Sequence, residues 1–455
     1  MLNIEEYYNG FESFWRRYIK WFYPGMRVKR WVLLMILGGI LTAGGGAVLI
    51  GPEPVITLGR TISNWLRAIG QPSKIPLIQE LGAVVAFFGI VLICIGFRQV
   101  IRSLIMDILP ADPKDLAEII FHKRGLGREP AVVVIGGGTG LSTMLRGLKL
   151  KTDRITAIVT VADDGGSSGR IRSELGIPPP GDIRNTLVAL ANTEPLMEQL
   201  FQYRFDWGEG LEGHSFGNLF IAAMTDITGD FEEAIRTSSQ VLAVRGQVLP
   251  STLNSVTLRA EYDDGSTTSG ESLIPQPGKK IRRIFLEPEN CEPLEEAITA
   301  IDSADAIILG PGSLYTSVLP NLLVPDIREA IRRSTAPKIY ICNVMTQPGE
   351  TDGYKASNHV EALLNHVGPG LIDYVIVNTA AVPDHLLERY QREGAVPVEP
   401  DVAAVAALGV TPITAEVISM TNLVRHDPEK LAEVIYRIIS EKTSAGKLVK
   451  LMKHI

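Results

Sequence analysis

Small and polar residues are concentrated in a few short stretches, each placed just after an apolar run of strand length. The first is Gly136-Gly137-Gly138-Thr139-Gly140, which closes Ala131 to Ile135 and opens a helical pattern at Leu141, Met144, Leu145 and Leu148. Glycines there leave no side chain between backbone and ligand. A helix N-terminus attracts anions, so the turn suits phosphate. The glycines complete neither G-x-G-x-x-G, which would need glycine at Leu141 or Thr143, nor a Walker loop.

The second stretch is "DDGGSSGR", Asp163 to Arg170. Asp163 and Asp164 could accept a ribose hydroxyl, hold Mg²⁺ together with phosphate oxygens, or cap a turn. Ser167 sits at the centre of G-x-S-x-G, but two aspartates part it from its strand and no apolar helix follows directly. It therefore reads as a phosphate loop rather than a nucleophile elbow. In "PPPGDIRNTLVALA", Asp182 is placed to cap a helix over Ile183 to Ala191. Arg184 and Asn185 lie in its first turn, and Arg170 and Arg172 lie upstream; an anionic ligand would gain from one or two of these guanidinium groups.

Three further stretches add donors. "GHSFGNLFIAA" places His214 as a general base and Asn218 as a base or ribose contact, with capping as the competing role for each. "GPGSLYTS", Gly310 to Ser317, repeats the strand, turn and helix design, with Gly312, a donor in Ser313, and in Tyr315 either a flat face for a base or a core tyrosine. Asn343 opens "NVMTQPGET". Ser444 and Lys447 satisfy Ser-x-x-Lys but lie in a polar tail.

The elements that must position these groups are parallel strands. Apolar runs at Ala131 to Ile135, Ile155 to Ala162, Ala306 to Leu309, Lys338 to Val344 and Ile372 to Val377 alternate with helical patterns, the signature of an α/β, doubly wound, mostly parallel sheet. In such a sheet the carboxyl ends of the strands form one crevice. Between Val256 and Leu286, alternating strands and an Asp-Gly turn predict a small antiparallel insertion, about residues 255–290.

Hydrophobicity is unevenly placed. Trp31 to Ile50 carries no charge and is of span length, and Leu81 to Phe97 is a second uncharged run that reaches span length once Leu77 to Glu80 are counted, predicting a two-helix transmembrane hairpin. Arg16, Arg17, Lys20, Arg27, Lys29 and Arg30 precede it, Arg98 and Arg102 follow it, and only Arg60, Arg67 and Lys74 lie between. Both ends are thus placed in the cytoplasm. Gly82, Gly89 and Gly96 share one helix face, which Gly39, Ala43 and Gly46 are expected to approach. The expected organisation is a cytoplasmic interfacial segment (1–30), the hairpin (31–98), a juxtamembrane connector (99–129) and a nucleotide-binding domain (130–455). A net charge of −7 argues against nucleic-acid binding, and three scattered cysteines give no disulfide framework or thiolate zinc site.

Taken together, "GGGTGLSTMLRGLK", "TAIVTVADDGGSSGRIRSELGIPPPGDIRNTLVALA", "GHSFGNLFIAAMTDITGDFEEAI", "ADAIILGPGSLYTSVLPNLLV" and "IYICNVMTQPGETDGY" resemble the gluconeogenesis-factor (YvcK-like) proteins, a branch of the superfamily containing 2-phospho-L-lactate transferase (CofD). The resemblance runs from about Pro130 to Ile439. It implies a Rossmann-like fold, a UDP-sugar or NAD as ligand, and a role in cell-shape and cell-wall morphogenesis and in growth on gluconeogenic carbon. Its transferase branch implies metal-dependent transfer of phospholactate from a nucleotide carrier. Matching motifs place nucleotide contacts at Gly137, Gly138, Thr139, Asp163, Asn185, Asn218, Gly312, Ser313 and Tyr315, to which the spacing arguments add Gly140, Asp164, Ser167, Arg170, Asp182, His214 and Asn343. Mg²⁺ is expected at Asp163 and Asp164. The expected partners are a nucleotide-type small molecule, the inner membrane through the hairpin, a cell-wall regulatory protein and further copies of the chain. Members of this family are typically soluble, so the hairpin departs from the pattern.

Overall fold

The computed structural model describes residues 29–50, 75–108, 129–192, 195–420 and 424–442. The interfacial segment through residue 28, the orienting residues Arg16, Arg17, Lys20, Arg27, Arg60, Arg67 and Lys74, the connector over 109–128 and the Ser444/Lys447 pair lie outside the described residues. The chain divides into two compact units, Met1–Ile120 and Phe121–Ile455.

The described part of the first unit is two helices, Lys29–Ile50 and Ile75–Ile108. Within them Arg30–Val48 and Glu80–Val100, of 19 and 21 residues, are long and apolar enough to cross a membrane. Leu33, Ile36, Ile40, Phe87 and Phe88 are more than half exposed. The glycine seam of the second helix packs against the first, but one residue earlier than the spacing predicts. A Cβ added at Gly45 would lie 2.5 Å from the Gly82 carbonyl oxygen, and one at Gly38 would lie 2.7 Å from that of Gly89; Gly39 and Gly46 face open space. One residue is a turn of about 100°, so Gly39, Ala43 and Gly46 leave the seam together. The seam takes Thr42 instead, whose hydroxyl bonds the Gly38 carbonyl at 2.8 Å and so is satisfied within an apolar contact.

In the second unit twelve strands are described: β1 (Val132–Gly136), β2 (Ile155–Val159), β3 (Gln247–Pro250), β4 (Thr257–Tyr262), β5 (Thr267–Ser269), β6 (Ile281–Glu287), β7 (Ala306–Leu309), β8 (Lys338–Ile341), β9 (Tyr374–Asn378), β10 (Thr411–Ala415), β11 (Ile418–Met420) and β12 (Val424–His426). Seven form one sheet in the order β10-β9-β8-β7-β1-β2-β3, and every pair in it is parallel. β5-β4-β6 form the expected antiparallel insertion. β11 and β12 make an antiparallel ribbon.

Alternation along the strands feeds two cores. Val133, Ile135, Ile307, Leu309 and Tyr340 point to one face, covered by the insertion sheet and the helices Glu295–Asp302, Pro325–Arg333 and Ala356–Val367. Val132, Val134, Ala306, Ile308 and Ile339 point to the other, covered by Gly138–Leu148, Gly181–Leu190 and Pro428–Lys442. Burial on both faces is why these strands read as unbroken apolar runs. β3 and β10–β12, which lie at the sheet edge or outside it, were not expected from the sequence.

Candidate functional site

The sheet changes direction of growth between β1 and β7: β2 and β3 extend it one way, β8 to β10 the other. The turns that follow β1 and β7 meet there. A Cβ at Gly140 would lie 2.9 Å from the Pro311 carbonyl oxygen, and one at Gly312 would lie 3.0 Å from that of Gly137, so backbone meets backbone and only glycine fits. With the segment after β8 they enclose a cleft of about 460 Å³, lined by Gly138, Thr139, Gly140, Gly312, Ser313 and Asn343, all expected, and by Gln347, Arg425 and His426, none of which the sequence reading singled out. The helix Gly138–Leu148 opens onto this cleft with no side-chain cap, so its first amides lack intrahelical partners. Arg425 is exposed and no partner for it is found among the described residues.

Carboxylates crowd the strand ends. Asp182 does not cap its helix, which begins at Gly181 with Pro180 as N-cap and no side-chain cap. Its carboxylate instead accepts the Gly138 amide, leaving no room for a side chain at Gly137. Burial, then the charge of Asp163, push its pKa up to about 6, against the pull of the Gly138 amide and Arg184. The two adjacent aspartates diverge. Asp163 accepts the Gly165 amide at 2.9 Å, whereas Asp164 accepts the Ser272 amide of the insertion at 2.9 Å. Glu271, beside that amide, is raised to about 8 by burial and then by Asp163 and Asp182. No group of three or more His, Cys, Asp or Glu in metal-ligand geometry occurs among the described residues.

The turn after β7 is occupied by its own chain. Glu350 is 4% exposed and accepts the Tyr315 amide at 3.3 Å, the Thr316 hydroxyl at 3.2 Å and the Gln347 side-chain amide at 2.6 Å. Burial raises its pKa to about 7 although these donors oppose the shift. Ser313 donates to Gln347 at 2.6 Å. The Tyr315 ring takes the core role: it is 2% exposed and its hydroxyl pairs with Tyr354 at 2.8 Å.

The remaining expected residues form a network. Ser167 lies 3.0 Å from His214 Nδ1 and accepts the Asn218 side-chain amide at 3.1 Å. Asn218 also donates to Ser168, and Ser215 caps the helix Phe216–Thr228 by accepting the Asn218 main-chain amide. This stitches "DDGGSSGR" to "GHSFGN". Burial and then the charge of Arg170 lower the His214 pKa. Arg184 donates to Ser215 and to Asn185. Arg170 donates to the Glu212 and Gly210 carbonyls at 2.7 and 3.2 Å. With Asp164 and Arg172 it lines a second cleft, of about 680 Å³, rather than the switch-point cleft.

Residues 132–418 match the family described as 2-phospho-L-lactate transferase CofD, which covers the parallel sheet and both glycine turns. A gluconeogenesis factor of Bacillus subtilis is 55% identical over 317 residues, 70% of this chain and 100% of that protein. A Nostoc protein provisionally given the same name is 48% identical over 426 residues, 92% of each chain. A crystal structure of a UPF0052-family protein from Bacillus halodurans is 56% identical, with a TM-score of 0.65 over 67% of this chain and 98% of that one. The fold and site thus define a CofD-type α/β protein. Within that class the chain belongs to the gluconeogenesis-factor family. The Bacillus subtilis relative is matched along its whole length with 30% of this chain left over, whereas the Nostoc match leaves 8%, so the latter extends into the helical first unit.

Proposed function

We propose that the chain is a membrane-tethered regulatory protein that binds a nucleotide-diphospho ligand, a UDP-sugar or NAD, in the switch-point cleft. Its occupancy would serve cell-wall morphogenesis and gluconeogenic growth, in keeping with the name its relatives carry. The observation that carries this reading is the convergence of the turns after β1, β7 and β8 on one cleft beside an uncapped helix N-terminus. Arg425 brings a guanidinium to the same cleft, suited to a diphosphate. The two apolar helices support the tether, with both termini cytoplasmic and the protein self-associating at the membrane. Calorimetric titration of the full-length protein in detergent against UDP-N-acetylglucosamine and NAD tests it: saturable heat with one of them is expected, and heat with neither removes the reading.

A second reading, a metal-dependent transferase, is favoured by the carboxylates at the strand ends. Their mutual crowding suits a hard cation, and Asp163 with Asp182 would hold Mg²⁺ alongside phosphate oxygens more readily than Asp163 with the diverted Asp164. The ion would neutralise charge on the phosphate; Asp163 and Asp182 would position it, and the Gly138 turn would orient the diphosphate. Sustained Mg²⁺-dependent release of a nucleotide product, lost in Asp163→Asn, would favour transfer over sensing.

A further inference from the structure

Two residues that line the switch-point cleft, Ser313 and Gln347, are joined to the buried Glu350 by a chain of hydrogen bonds. The Ser313 hydroxyl donates to Gln347 Oε1 at 2.6 Å, and Gln347 Nε2 donates to Glu350 Oε1 at 2.6 Å. The carboxylate dictates both directions. Ionised, it only accepts, so it draws the Nε2 end of Gln347 and turns Oε1 toward Ser313, where it takes up that hydroxyl's single proton. Ser313 then offers only lone pairs to the cleft, and a phosphate oxygen, itself an acceptor, gains nothing from it.

Protonation of Glu350 reverses each link. Of its other partners, the Tyr315 amide only donates, and the Thr316 hydroxyl, which has no second acceptor among the described residues, would strand its own proton if it accepted. A proton on Glu350 Oε1 is therefore met by turning the Gln347 amide over, so that Oε1 accepts from the acid and Nε2 donates to the Ser313 oxygen. The Ser313 hydroxyl proton is thereby released to the cleft. Gln347 is half-buried in the cleft wall rather than set in the core, which suits such a turn. Burial places the Glu350 pKa at about 7, so both states are populated near neutrality.

Resting on the cleft reading above, we propose that Glu350 and Gln347 are positioning residues of a proton relay that decides whether the Ser313 hydroxyl donates to a phosphate oxygen of the bound diphosphate. The ligand binds more tightly when Glu350 holds its proton, and by reciprocity its arrival favours that proton. The titratable groups facing the relay are Glu271 of the insertion, which Glu350 helps to hold protonated, and Tyr315, with Tyr354 bonded to its hydroxyl and His366 against its ring. A direct repulsion between Glu350 and the diphosphate has the same sign as the relay. Ser313 separates the two, because only the relay needs its hydroxyl.

The test is calorimetric titration of full-length wild type, Glu350→Gln and Ser313→Ala in detergent with UDP-N-acetylglucosamine and with NAD, at pH 6 and pH 8, beside unliganded melting curves. Neither ligand's diphosphate changes charge between those pH values. The quantity read is the ratio of Kd at pH 8 to Kd at pH 6. Glu350→Gln carries a permanent N–H donor in place of the acid, and Ser313→Ala keeps the carboxyl but removes the end of the relay. The wild-type ratio is expected to exceed that of both variants by roughly 3-fold, the worth of one hydrogen bond. A Ser313→Ala ratio equal to wild type overturns the proposal, since the carboxylate would then act by charge alone, and so does an unchanged ratio in Glu350→Gln. If the melting curves show that Glu350→Gln does not fold, Ser313→Ala decides by itself. A wild type that binds neither ligand removes the cleft reading and this inference together, whereas binding with one ratio common to all three proteins removes only the inference.

Discussion

Both glycine turns, 136–140 after β1 and 310–313 after β7, join a buried parallel strand to a helix, yet the amides beyond them meet different partners. After β7 the amide of Tyr315 and the hydroxyl of Thr316 are taken by the buried Glu350. After β1, among the described residues, the Gly138 amide meets the carboxylate of the half-buried Asp182 and the helix N-terminus has no side-chain cap. The same local texture thus serves an internal anchor in one place and leaves a helix N-terminus without a side-chain cap in the other. The distinction depends on a residue far along the chain, and turn residues alone do not encode it.

The contrast breaks most sharply at Glu350. Glu350→Ala should leave the Tyr315, Thr316 and Gln347 donors without an acceptor and cost on the order of 3 kcal/mol in chemical denaturation, with Glu350→Gln costing about 1 kcal/mol. Next comes Gly140→Val, whose side chain would meet the Pro311 carbonyl; nucleotide affinity should fall by roughly 100-fold in titration, equivalent to about 2.7 kcal/mol.

Proton linkage sharpens the same comparison. Asp182, Glu350 and Glu271 are raised to about 6, 7 and 8. A folded state that holds carboxyl protons longer than the unfolded chain does loses stability as pH rises through those values. His359 and His426, each lowered to about 4 by burial, act in the opposite sense, and their contribution is lost as pH falls below the usual histidine value of about 6.5. The denaturation midpoint should therefore decline from pH 6.5 to pH 8.5, where the histidines no longer contribute, and Glu271→Gln should remove the most alkaline part of that decline. A flat profile from pH 6.5 to 8.5 would mean that these carboxyls ionise normally. Smallest of all, Ser313→Ala removes one hydrogen bond to Gln347 and should shift ligand affinity by about 3-fold or less.

The sheet was legible because burial on both faces writes itself as continuous apolar runs: Ala306 to Leu309 coincides with β7, and the insertion expected over about 255–290 holds β4 to β6. β3 was not, since Gln247–Pro250 is a four-residue edge strand ending in proline. The cleft was legible where glycine backbones touch. Asp182 has the composition of a first-turn cap as well as of a ligand contact, and only the fold, which brings it to the Gly138 turn, separates the two. Glu271 and Glu350 lie inside "SGES" and "PGET", but burial gives them their importance, and no local spacing reports that. Arg425 and His426 belong to a strand of three residues that no spacing marks, and they line the cleft only because the fold brings that strand there.

The helix Pro428–Lys442 sets Leu431, Ile435, Ile438 and Ile439 into the same core as the helix Gly138–Leu148, and its first carbonyl lies so close to Gly147 that no larger residue fits there. The CofD family match and physical separability therefore part company at residue 418. A fragment trimmed to the matched stretch would uncover a row of aliphatic side chains and remove part of the switch-point cleft wall, so expression should extend through residue 442 to keep that core covered.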